Sequence, residues 1–236
     1  MIYLLLAVLC NSLLFIILKY FDRFRINTLQ GIVVNYIVAG MLGILFSPAS
    51  FTVSGLLAKE WIWIPPIMGL LFISIFLLIA RTAQTIGVSV ASVANKMSVI
   101  IPVIVAIIIY NDSTGVLKIG GIILALVAVY FTSKKEGGAA VGIKQLFLPI
   151  VVFLGSGIID ALINYAQKQY VTTADSPLFI ATSFMMAFAG GLLMVGYQLM
   201  RKQTTLQPRA ILGGIVLGIP NYFSIWCLLE ALESNM

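Results

Sequence analysis

Apolar residues along this chain come in long blocks rather than in alternation. Eight runs, at 2–20, 28–47, 61–80, 87–110, 116–133, 146–168, 177–200 and 209–230, consist mostly of aliphatic, aromatic and small residues. A helix rises 1.5 Å per residue, so about 20 residues cross a hydrocarbon core of about 30 Å. The connections are short and hold helix breakers: Ser47-Pro48, Asn111-Asp112-Ser113, Ser176-Pro177 and Gln207-Pro208. The pattern predicts an all-α membrane protein, a polytopic bundle of eight transmembrane helices. Barrel strands are shorter and alternate. In lipid, only helices and closed barrels satisfy their own backbone groups.

Composition agrees with that solvent. Apolar types make up 61% of the 236 residues and charged types 9%, where a soluble domain carries about 25% charged. Mean hydropathy is +1.10. In water such a chain would expose large apolar patches. The opening run, MIYLLLAVLCNSLLFIILKYF, has no basic residue before it and no cleavage signature after it, so it reads as a retained first helix. The formal charge is +6. Its basic residues sit in short loops, as topology signals do, and form no stripe with aromatics, which argues against nucleic acid. The chain has no histidine. That excludes a Ser–His intramembrane protease, a His-ligated zinc or haem and a His proton relay. Cys10 and Cys227 lie inside apolar runs and read as small buried hydrophobes. The expectation is a protein that is not an enzyme and has neither cofactor nor metal.

The connection at 133–145, SKKEGGAAVGIKQ, is polar and Gly/Ala-rich and marks the best internal boundary. It divides the chain into a first repeat at 1–135 with five spans, a linker at 136–145 and a partial second repeat at 146–236 with three. Sliding the chain on itself by about 145–148 positions lays Leu9-Cys10-Asn11-Ser12 on Leu154-Gly155-Ser156-Gly157 and Tyr20 on Tyr165. It also lays Ala39 on Ala187, Gly43 on Gly191 and Leu45 on Leu193. Five spans is an odd number, so the second copy starts from the opposite face. The expectation is two inverted five-helix repeats with the second incomplete, a plan common among secondary transporters.

The segment RTAQTIGVSVASVANKMSVIIPVIVAIIIYNDSTGVLKIGGIILALVAVYFTSKK resembles the third-to-fifth helix block of EamA-type transporters of the drug/metabolite transporter superfamily. It shows a helix end, a Gly-small turn and a small-residue helix with a central proline, Pro102. A short acidic turn follows, with Asp112 where the family usually has Glu, and then a Gly-rich helix. GSGIIDALINYAQKQY resembles the opening helix of the second repeat. The resemblance covers essentially the whole chain. It implies ten helices in two inverted repeats, so this chain is similar to a member that lacks the last two. It also implies alternating access around a midplane site in the inner (plasma) membrane. The substrate class would be a small polar, amphipathic or zwitterionic metabolite or drug, and the family plan allows a coupling proton and a homodimer.

Orientation stays open at this point. Loops 1–2, 3–4, 5–6 and 7–8 carry Lys19, Arg23, Arg25, Arg81, Lys134, Lys135, Lys144, Arg201, Lys202 and Arg209, while the other side carries Lys59, Lys118 and Lys168. The positive-inside rule then puts the N-terminus outside. The family arrangement puts it inside.

The candidate chemistry lies within the spans. On a helical wheel Ser89, Ser92, Asn95, Lys96 and Ser98 share one half of the fourth helix, opposite Val90, Val93, Met97, Ile100 and Ile101. Lys96 stands roughly 12–14 Å into its span, where a charge costs about 2.5–3.5 kcal/mol on insertion scales. Two readings follow: Lys96 faces a cavity and meets an anionic group, or it forms a buried ion pair that fixes packing. In the sixth helix Asp160 follows Ser156 and precedes Asn164 by four residues each. It reads either as a coupling or substrate-amine carboxylate, or as the neutraliser of Lys96. Asn11 and Ser12 line the same cavity or glue helices together. The candidate substrate-binding set is Lys96, Asp160, Asn95, Ser92, Asn11 and Asn164. Pro220-Asn221 reads as a kink, Trp61 and Trp63 as an interfacial belt, and Gly120-Gly121 and Gly190-Gly191 as close packing. The alternative functions are a non-transport scaffold or assembly subunit and an inactive truncated transporter.

Overall fold

The computed structural model of the chain describes residues 2–47, 52–110, 115–133 and 143–233. Every regular element in them is helical. In chain order these are α1 (Ile2–Arg23), α2 (Thr28–Leu45), the short α3 (Val53–Leu57), α4 (Ile64–Thr85), α5 (Val88–Met97) and α6 (Ile100–Tyr110). They are followed by α7 (Val116–Ser133), α8 (Ile143–Gln169), a 3₁₀ turn at Thr173–Asp175, α9 (Ser176–Met200) and α10 (Pro208–Glu233). The chain is thus a polytopic helical membrane protein by length and composition, with seven helices long and apolar enough to span among the described residues. The count differs from the eight expected. The predicted fifth span is present as α7, an 18-residue helix, and stands outside those seven. The last three linker residues, 143–145, open α8, while Pro48, the Asn111-Asp112-Ser113 turn and linker residues 136–142, with Lys134 and Lys135, fall outside the described residues. The side chain of Glu230 does too.

The helices form two compact units, and these do not follow the sequence division into repeats. The larger comprises Met1–Leu77 and Ala166–Met236, the smaller Leu78–Tyr165. The larger therefore gathers α1, α2, α9 and α10 with the first part of α4. There α2 packs on both α9 and α10, and α1 packs on α10. Glycines set these approaches, as small residues do between membrane helices. A methyl group added at Gly43 would lie 2.7 Å from Ala181 Cβ, and one at Gly191 would lie 2.5 Å from Val33 Cγ2. One at Gly69 would lie 2.7 Å from Met186 Cβ, and one at Gly218 would lie 2.8 Å from Val38 Cβ. The numbering of these contacts is reciprocal. Gly43 and Gly191 stand 148 positions apart, as do Val33 and Ala181, and Val38 and Met186. Gly69 and Gly218 stand 149 apart. Tyr36 and Phe184, again 148 apart, meet as tilted rings with centroids 5.7 Å apart. The Tyr36 hydroxyl donates to the Phe72 carbonyl at 2.9 Å.

Polar clamps close each end of this unit. At one, Asn27 caps α2 by accepting from Gln30 N at 3.1 Å. Its backbone N–H donates to Gln207 Oε1 at 2.9 Å and its side chain to Thr204 Oγ1 at 3.0 Å. Gln30 donates to the Thr205 carbonyl at 2.8 Å and accepts from Gln207 N at 3.0 Å. At the other end, the Lys59 ammonium donates to both oxygens of Asp175 at 2.9 Å. Thr172 fixes Asp175 by accepting from its backbone N–H at 3.3 Å.

Three expectations are corrected here. Trp61 is buried and meets Phe179 edge-on at 5.5 Å, whereas Trp63 is exposed. A belt position for Trp61 is ruled out because α9 covers it. Gly120 and Gly121 face open space among the described residues, so they seat no helix there. Gly191 is closely packed, but Gly190 meets only Leu70, at an ordinary 3.8 Å.

Candidate functional site

In the smaller unit the fourth span is broken beside its lysine. Gly87, with φ +152°, turns the chain out of α4, a conformation that L side chains rarely adopt. The small, polar α5 follows and stops at Met97, and α6 restarts at Ile100. Pro102 explains the interruption. It has no N–H to offer the Ser98 carbonyl, and its ring crowds that oxygen. The Ser98 carbonyl accepts instead from Ile101 N at 2.9 Å, while the Val103 N to Val99 O bond is stretched to 3.4 Å. The last carbonyls of α5 therefore end inside the span, and the positive charge of Lys96 sits in that last turn, where the helix dipole favours it.

Helix α8 supplies the facing groups. Asn95 Nδ2 donates to Ser156 Oγ at 2.9 Å. The Ser98 hydroxyl lies 2.5 Å from the Asn95 carbonyl and 3.2 Å from Asp160 Oδ2, two acceptors for one proton. A close approach of α8 to α6 makes this reach feasible. Gly157, next to Ser156, lies against Ile101, and any Cβ there would overlap that side chain. Lys96 and Asp160 do not close an ion pair, whereas Lys59 and Asp175 in the larger unit do.

Polarity and burial do not run together along α5 and its C-terminal cap. Ala91, Ala94 and Ser98 are buried, Ser92 and Asn95 are half-buried, and Ser89 and Lys96 are exposed. Small side chains let the backbone approach α7, against which α5 packs. Lys96 stands on the uncovered side of α5. The structure thus brings Asn95, Ser98, Ser156 and Asp160 together and holds Lys96 at their edge. Ser92 lies one turn before Lys96 on α5. Asn164 is exposed one turn beyond Asp160 on α8. Asn11 belongs to the larger unit, where its buried Oδ1 has no partner.

One pair was not foreseen. In the larger unit Asn221 Nδ2 donates to Asn35 Oδ1 at 3.1 Å, with both residues buried. Pro220 drew attention to Asn221, but a lone asparagine in an apolar run carried no sign of its partner. Its place near the middle of α2 was the available signal. Cys227 is buried, and neither Cys10 nor Cys227 is in a disulfide.

No family model matches the chain, and no solved structure does. The chain is similar to an uncharacterized protein of Haemophilus influenzae, 28% identical over 236 residues. That match covers 97% of this chain and 78% of the relative.

Proposed function

We propose that the chain is a secondary transporter of the EamA type that moves a small anionic or zwitterionic metabolite or drug across the inner membrane by alternating access. The observation that carries this reading is the broken span. Ser98, at the end of α5, hydrogen-bonds Asp160 of α8, and Lys96 stands in the last turn of α5 beside them. Discontinuous helices with ionisable residues at the break are how transporters build substrate and ion sites. Asp160 compensates Lys96 at rest, and a bound carboxylate does so when the site is loaded. Neither state then leaves the intramembrane charge uncompensated. The reciprocal glycine contacts and the Tyr36–Phe184 ring contact support two inverted repeats, because a two-fold axis between α2 and α9 makes each off-axis contact occur twice and pairs a residue with its own counterpart on the axis.

The test is a thermal-unfolding screen of the purified protein in lipid nanodiscs against amino acids, dicarboxylates and uncharged analogues of the same size. An anionic or zwitterionic compound at 100 times its Kd should add about 2.7 kcal/mol. Lys96→Met should lose that stabilisation while unfolding near the parental temperature without ligand. Equal binding by Lys96→Met, or a preference for the uncharged analogues, removes the site from Lys96.

A further inference from the structure

The two end clamps of the larger unit share one numbering relation. Lys59 and Gln207 stand 148 positions apart, and so do Asn27 and Asp175. Lys59 and Gln207 each lie just before α4 and α10; Asn27 and Asp175 each lie just before α2 and α9. The Lys59–Asp175 ion pair is therefore the counterpart, at the opposite end, of the Asn27–Gln207 hydrogen bond. The offset is the same one that relates Gly43 to Gly191.

We propose that these clamps are one gate present twice, and that the two ends open in turn. This rests on the inverted-repeat transporter reading and goes beyond it by naming the gates. Each clamp ties the start of one copy's third helix to the start of the other copy's second helix. Releasing one frees the entry of α4 from α9, and releasing the other frees the entry of α10 from α2. With both formed, the structure is the stage closed at both clamps. The chemistry of the two ends differs. The Lys59 clamp is a part-exposed ion pair, 37% and 14% exposed on its two side chains, so salt weakens it. The Asn27 clamp is neutral, carries additional bonds from Gln30, and is indifferent to salt.

Spin labels report each end: Leu57 with Thr173 beside the ion pair, and Phe24 with Leu206 beside the neutral clamp, all four exposed. In nanodiscs, raising the ionic strength should increase the long-distance population of the Leu57/Thr173 pair about fivefold, the size expected of a part-exposed ion pair. The Phe24/Leu206 pair should not lengthen. Asp175→Asn should produce the same change at low salt, and Gln30→Leu should open the Phe24/Leu206 end alone. Lys59→Gln/Asp175→Asn copies the neutral clamp; it should stay closed and lose the salt response, which serves as the test if Asp175→Asn does not purify. If both ends lengthen together, if neither responds, or if the salt response survives in the double variant, the clamps are static struts and the proposal falls. A ligand bound at Lys96 with clamps that move together sinks this inference alone. Clamps that alternate without any ligand found at Lys96 sink the transport reading and leave the gates standing.

Discussion

At the residue scale, the tightest constraint in the smaller unit is Gly157. Its missing side chain is the space that Ile101 fills. Gly157→Ala should destabilise by about 1–3 kcal/mol through overpacking, and Ile101→Val should recover part of that loss. Denaturant titration of the two single variants and the double variant would check it; additive losses would mean the two sites do not touch. The Asn35–Asn221 pair makes a second case. Asn35→Leu alone leaves the buried Asn221 amide without its acceptor, at about 1–3 kcal/mol, whereas Asn35→Leu/Asn221→Leu removes both groups and should stay nearer the parent. A double variant as weak as the worse single one would refute the pairing. Residue types were legible in the sequence where they were anomalous, as Lys96 and Asp160 are inside apolar runs. Asn35 was not, because an amide costs little enough in a membrane helix to pass as glue.

At the element scale, helix positions were readable because lipid enforces them: an apolar run of spanning length has little choice but to be a helix. The break at Ser98–Val99 was not read, although Pro102 was noted, because proline is tolerated in membrane helices whenever neighbours satisfy the freed groups. Here a turn satisfies them, and that depends on packing rather than on the local sequence. Pro102→Ala restores the missing donor. Amides around Ile100–Val103 should become more protected from hydrogen exchange, and any ligand stabilisation that depends on Lys96 should fall. Unchanged exchange would mean that α8, not the proline, imposes the break.

At the scale of the whole molecule, the larger unit sorts its own charges. The clamp around Asn27 and Gln207 sets Arg23, Arg25, Arg201 and Lys202 at one end, and the Lys59–Asp175 pair lies at the other. Positive residues are retained in the cytoplasm. Cysteines replacing Arg25 and Arg201 should therefore resist a membrane-impermeant thiol reagent in intact cells, and one replacing Thr173 should react. Rapid labelling at Arg25 from outside would reverse the orientation. The 148-residue offset was faintly legible, since only a few small residues stay in phase. The spatial division was not, because partners such as Gly43 and Ala181 lie far apart in the chain and meet only on packing.

The broken span also sets a problem of timing. Asp160 lies 64 residues after Lys96, so at about 5–20 residues per second the carboxylate is made about 3–13 s after the lysine. During that interval Lys96 enters the bilayer without its counter-charge. Directly behind it, residues 100–109 supply eight isoleucines and valines. At about 0.3–0.6 kcal/mol each, they favour insertion by about 2–5 kcal/mol, enough to balance the 2.5–3.5 kcal/mol or so that the lysine costs. The isoleucines and valines of 100–109 thus act as ballast during synthesis, holding the lysine in place until α8 is made.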